Sequence, residues 1–159
     1  MRWIWIDAFT HFESKKRARA VKNVTLAEEH LHDHFPGYPV LPPSLMIEGM
    51  AQTAGILVGE ACDFREKVIL AKIRKAEFSD YCVPGDQVAY DAQVEIIEEA
   101  AATIQGTVFR NDREIGKISL MFSHADQASK DLNLPEHNFV FNDQFMSLLD
   151  NYRIHAGGK

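Results

Sequence analysis

The sequence predicts an α+β domain in which a curled antiparallel sheet wraps around one long central helix. Three observations predict it. The segment from Ser44 to about Ala61 is apolar or small on nearly every face, and a helix that is apolar all round must be buried on most sides. Two strand-like runs precede it and four follow, with one further, short helical candidate near the end. The chain has 159 residues, 46% hydrophobic and 25% charged, which suits a single globular core.

The elements follow in order. Residues 3–13 alternate loosely around Trp3, Trp5, Phe9 and Phe12 and read as a strand with a bend. Ser14, Lys15 and Lys16 form a charged turn into a second strand over 17–25. The central helix carries Gly49, Gly55 and Gly59. Each costs about 1 kcal/mol against alanine, so other backbone is expected to approach the helix closely there. Strands are predicted over 67–78, 86–98, 101–111 and 114–124. In the second of these, Val88, Tyr90, Ala92, Val94 and Ile96 share one face. Pro84, Gly85 and Asp86 make the turn that opens it, and Asn111 with Asp112 marks a tight hairpin. Residues 1–125 form this domain. Residues 126–159 are a polar C-terminal extension, in which 139–149 form a short surface helix. The sheet covers one side of the central helix, and a second copy of the chain is the expected cover for the other.

Charge and composition exclude several classes. A net charge of −6 argues against a general nucleic-acid surface. Cys62 and Cys82 belong to no CxxC pattern, so zinc is not suggested; free buried thiols in a reducing cytosol are the simpler reading, with a single disulfide left open. The first apolar run is too short for a signal peptide and meets Asp7. The longest apolar stretch is interrupted by Glu48, Gln52 and Glu60, so no membrane span and a cytoplasmic location are expected. On an extended strand His30, His32 and His34 would share a face, as metal ligands do. No carboxylate or thiol stands ready to complete such a set, and His30 and His32 read as solvated loop.

Two residues carry the candidate chemistry. Glu48 is a lone acid in an apolar setting, where ionisation is expensive; an acid kept neutral there can give a proton to a leaving group. A place on an exposed stripe, or a pairing with a buried base, is the alternative. His34 stands before FPGYPVLP, whose prolines fix φ and whose glycine permits a sharp bend. Such a segment holds a side chain in one place, as a general base requires.

The stretch HFPGYPVLP followed by IEGMAQ, with AVKNVT at 20–25, MAQTAGIL at 50–57 and VPGDQ at 83–87, resembles the β-hydroxyacyl-acyl-carrier-protein dehydratases of the FabZ and FabA type. The resemblance covers about residues 13–123. It implies the hotdog fold, a curled antiparallel sheet around one long helix. It also implies dehydration of 3-hydroxyacyl thioesters to trans-2-enoyl thioesters in fatty-acid or related lipid synthesis, with no metal or organic cofactor. His34 would take the α-proton. Glu48 would protonate or orient the departing β-hydroxyl. The two would meet across a dimer interface, in a homodimer or a trimer of dimers. The substrate would arrive on acyl carrier protein, or as a coenzyme A thioester, with its acyl chain in an apolar tunnel beside the helix. Ser44 and Gly37 are candidate substrate-binding residues, and so is Gln52, which matches the family's MAQ. Two basic clusters, Lys15, Lys16, Arg17, Arg19 and Lys22, and Arg65, Lys67, Lys72, Arg74 and Lys75, either steer an acidic carrier or are solvated strand edges.

The chain also departs from that pattern. Pro43 stands where the family usually has a glycine whose N–H faces the thioester carbonyl, and proline has no N–H. Ser44, through its own N–H or its hydroxyl, is the expected replacement. Ala8 follows Asp7 where arginine is usual, and the tail beyond residue 125 is additional. A glutamate acid leans away from the isomerising FabA branch, which has aspartate. The alternatives are a thioesterase on the same fold and a non-catalytic acyl-binding homologue, the latter suggested by Pro43.

Overall fold

A computed structural model describes residues 3–125 and 137–156. Six strands, β1 (Ala8–Glu13), β2 (Arg17–Asn23), β3 (Val68–Phe78), β4 (Gln87–Ile97), β5 (Ala101–Arg110) and β6 (Arg113–His124), form one sheet. Its order is β1-β2-β4-β5-β6-β3, and every neighbouring pair is antiparallel. The long helix, here α2 (Pro43–Ala61), lies in the curl, preceded by a single turn, α1 (His30–Asp33). A last helix, α3 (Asp143–Ala156), packs on β1.

Pattern explains the sheet. Val88, Tyr90 and Ala92 of β4, Ile104 and Val108 of β5, and Ile118 and Leu120 of β6 are all buried. They meet Met46, Met50, Ala54 and Leu57 of α2 in one core. Burying each large apolar side chain stabilises the fold by roughly 1.5–3 kcal/mol. The shared face expected of β4 ends early, because a register shift between Val94 and Ile96 leaves Ile96 exposed. Asp91, on the same strand, is buried because Arg17 and Arg19 of β2 pair with it.

Four local expectations need correction. Residues 3–7 are not strand. The Trp5 N–H donates to Gln52 Oε1 at 2.8 Å, which lays this segment along α2, and the sheet begins only after the Asp7 N–H reaches Val21 O at 2.7 Å. His30 is not solvated loop: it opens the single turn of α1, half-buried with its ring 5.0 Å from that of Trp5, because Leu31 is buried and its N–H bonds Glu28 O. The glycines of α2 admit aromatic rings, not backbone. A Cβ on Gly49 would lie 2.4 Å from Tyr90 Cζ, and one on Gly59 would lie 2.3 Å from Phe141 Cζ. The C-terminal helix starts later and runs longer than 139–149, because Asn142 Oδ1 caps it by accepting from the Gln144 and Phe145 N–H groups.

The side of α2 that was expected to need a second copy is covered in part by this same chain. Phe141, Phe145, Leu148 and Tyr152 pack against the core. Residues 126–136 of the expected extension lie outside the described residues. Cys62 and Cys82 are free thiols, and burial pushes the Cys82 thiol up to about 12. Ligand atoms of Cys62, Glu66 and His124 lie within 4.8 Å of one another where α2 ends beside the last residue of β6. Among the described residues no helix is long and apolar enough to cross a membrane.

Candidate active site

Pro42 and Pro43 start the central helix. Pro43 takes a first-turn position, where a missing N–H costs nothing, and Pro42 O accepts from the Leu45 and Met46 N–H groups. The Ser44 N–H between them has no partner among the described residues, and Ser44 is exposed. Helix α2 therefore presents one free backbone donor at its positive end, next to the proline.

One turn further on, Glu48 is half-buried. Its Oε1 accepts from Trp3 Nε1 at 3.0 Å and from Gln52 Nε2 at 2.9 Å. Gln52 is itself buried; its amide group also donates to Trp3 O at 3.1 Å, and its oxygen accepts from the Trp5 N–H. The acid is thus held by donors, not isolated among apolar groups, and among the described residues its Oε2 has no hydrogen-bond partner. Gln52 spends all its polar atoms on protein partners. No local pattern in the sequence marks Trp3 as a partner, because it lies 45 residues from Glu48.

Glu48, Gln52 and Trp3 form the polar end of a cavity of about 210 Å³. The rest of its lining is apolar and comes from α2, β3, β6 and the segment before and within α3.

His34 belongs to a different setting. The chain turns back on itself after it. Phe35 N–H donates to Tyr38 O at 3.1 Å and Tyr38 N–H to Phe35 O at 2.9 Å, with Gly37 at φ +74° in the bend. Gly37 has open space where a Cβ would stand, so its backbone conformation is what calls for glycine. The Val40 N–H donates to His34 O at 2.9 Å, and His34 Nδ1 lies 3.0 Å from Val40 O. A carbonyl can only accept, so Nδ1 carries the proton and Nε2 keeps a lone pair. The ring stacks on Phe35 at 4.2 Å. The exposed Tyr38 ring meets Tyr81, and their hydroxyls bond.

This loop is fastened to the sheet side through the Leu41 N–H, which donates to Cys82 O at 2.8 Å. Behind it, buried Asp86 accepts from the Val83 N–H at 2.8 Å and from Asn111 Nδ2 at 2.7 Å, and pairs with Arg110 Nε at 2.7 Å. Burial alone would raise the Asp86 carboxyl. The hydrogen bonds from Val83, Arg110 and Asn111 together outweigh it and hold the group below its ordinary value.

The structure thus brings Glu48 and Gln52 together, and Ser44 to the head of their helix. His34 does not line the Glu48 cavity of its own chain. The first basic cluster is largely spent on Glu13, Asp91, Asp112 and Glu28. In the second, Arg65 pairs with Asp63 and Lys75 with Glu77, while Lys72 and Arg74 are exposed on β3, at the edge of the sheet.

A family model described as a FabA-like domain matches residues 3–119. The chain is 40% identical over 110 residues to a 3-hydroxyacyl-[acyl-carrier-protein] dehydratase FabZ of Koribacter versatilis, covering 68% of this chain and 70% of that one. It is 37% identical over 118 residues to the protein of the same name from Fusobacterium nucleatum, covering 72% and 82%. Among solved structures, the dehydratase heterocomplex ApeI:P of Xenorhabdus doucetiae superposes with a TM-score of 0.63 at 14% identity, over 94% of this chain and 90% of that one. A Streptococcus mutans protein bound to acetyl-CoA superposes with a TM-score of 0.60 at 12% identity, over 73% and 86%. At such identities the structures speak for the fold alone, and that fold is the hotdog.

Proposed function

The chain belongs to the FabA-like family, and from that premise we propose that it dehydrates 3-hydroxyacyl thioesters to trans-2-enoyl thioesters, with His34 as base and Glu48 as acid. The observation that carries this reading is the apolar cavity headed by Glu48, with Oε1 engaged and Oε2 free.

His34 Nε2 takes the α-proton, since Nδ1 is committed to Val40 O. Negative charge moves onto the thioester oxygen, where the unpaired Ser44 N–H and the α2 dipole favour it. The β-carbon–oxygen bond then breaks, Glu48 supplies a proton from Oε2, and water leaves. Proton exchange with solvent returns His34 to neutrality and Glu48 to its acid form. Gln52 and Trp3 act through Glu48 by fixing its Oε1.

The pair is assembled between two copies of the chain, in a homodimer or a trimer of dimers. The absence of His34 from the lining of its own chain's Glu48 cavity supports this. The thiol carrier is acyl carrier protein, as the names of the curated relatives suggest. Lys72 and Arg74 on the β3 edge are the exposed cations placed to attract an acidic carrier. The two free thiols support a cytoplasmic setting for fatty-acid or related lipid synthesis.

The test is incubation with a 3-hydroxyacyl thioester while following enoyl absorbance and free thiol together. Enoyl absorbance without thiol release is expected. Thiol release without enoyl product would make the protein a thioesterase, and neither signal would make it an acyl-binding homologue.

A further inference from the structure

Resting on the dehydratase reading, we propose that Phe141 and Phe145 form the blind end of the acyl cavity and restrict the enzyme to short acyl tails. Both aromatic rings come from beyond residue 119, where the match to the family model ends. They line the cavity whose other end is Glu48, Gln52 and Trp3. A substrate with its hydroxyl at Glu48 therefore points its tail along Gly55 and Phe122 towards Phe141 and Phe145.

The closure is built into the fold. Asn138 Nδ2 donates to Phe64 O and to Glu66 O, both at 3.0 Å, tying the start of the segment to the chain just after α2. The Phe141 ring packs edge-on against Phe64 at 5.0 Å. It sits where Gly59 has no Cβ, a position at which any side chain would clash with it. Further along, Arg153 Nη2 bonds Glu60 Oε1 at 3.0 Å, and Leu149 is fully buried. The plug is thus fastened on both sides of its aromatic rings.

Size sets the limit. A cavity of about 150 Å³ accepts a benzene-sized guest. One of about 210 Å³ accordingly holds a tail of roughly six to eight carbons on the same scale. A longer tail has to displace Phe141 or Phe145.

The experiment measures kcat/KM on hexanoyl and dodecanoyl 3-hydroxy thioesters for the full chain and three variants. Phe141→Ala and Phe145→Ala are each expected to raise the dodecanoyl-to-hexanoyl ratio at least tenfold. Gly55→Ala is expected to lower it, because its new Cβ would stand in the cavity, 3.8 Å from Phe122 Cε1, without clashing. Equilibrium binding of the matching 3-hydroxyacyl pantetheine amides reads the same length preference without catalysis. If no variant changes the ratio or the length dependence of binding, the closure is overturned. If length-dependent binding shifts as expected but no enoyl product forms at any length, the closure stands and the dehydratase reading falls. Thermal melts identify any variant that fails to fold, and the remaining substitutions then decide the matter.

Discussion

The loop that carries His34 is stiffened through its own backbone, whereas the helix that carries Glu48 leaves that side chain to be placed by other side chains. His34 bonds Val40, six residues away, inside a turn made of prolines and Gly37. Glu48 is placed by Gln52, one helical turn away, and by Trp3, 45 residues away. The first arrangement is local and rigid. The second is assembled only when the N-terminal segment lies down on α2. One consequence is that damage to Trp3 should disturb Glu48 and leave His34 alone, while damage behind the loop should do the reverse.

The largest effects should come from the two groups themselves. His34→Ala and Glu48→Gln are each expected to lower kcat by about 10²- to 10⁴-fold, measured by enoyl absorbance. If hybrids formed from the two variants regain activity, the groups meet across subunits. If they stay dead, each chain must supply both.

Next in size is the oxyanion donor. Ser44→Pro removes the free N–H, and proline is tolerated in a first helical turn. A loss of about 10²- to 10³-fold in kcat is expected, with Ser44→Ala losing far less because it keeps the N–H. Equal losses in the two variants would move the role to the hydroxyl.

The support behind the His34 loop is tested through pH. The Asp86 carboxyl lies below its ordinary value of 3.8 in the folded protein. Its contribution to stability is therefore present above 3.8 and disappears as pH falls through the lower folded value. Asp86→Asn is expected to cost about 1–3 kcal/mol near neutrality, with the gap from the parent closing as pH is lowered. Urea unfolding at a series of pH values checks this, and a gap that stays constant with pH would assign the cost to shape instead of charge.

The smallest effect concerns Trp3, which is 55% exposed. Trp3→Phe keeps an aromatic side chain and removes the donor to Glu48, and a several-fold fall in kcat is expected, in line with a hydrogen bond worth about 1 kcal/mol. An unchanged kcat would reduce Trp3 to packing.

Much of this was legible in the chain because it depends on near neighbours or on period. The buried helix followed from apolar residues on every face. The meander followed from alternation and from the Asn111 and Asp112 hairpin, and the His34 turn from its prolines and Gly37. The family was legible because HFPGYPVLP and IEGMAQ, with the shorter stretches around them, resemble its motifs.

What only tertiary structure decided depends on distant pairs. Trp3 reaching Glu48, Phe141 filling the space left at Gly59, and Phe141 and Phe145 lining the Glu48 cavity each join residues tens of positions apart. Periodicity reports which face of an element is apolar. It carries no information on which remote side chain will cover that face, because that is set by how whole elements pack.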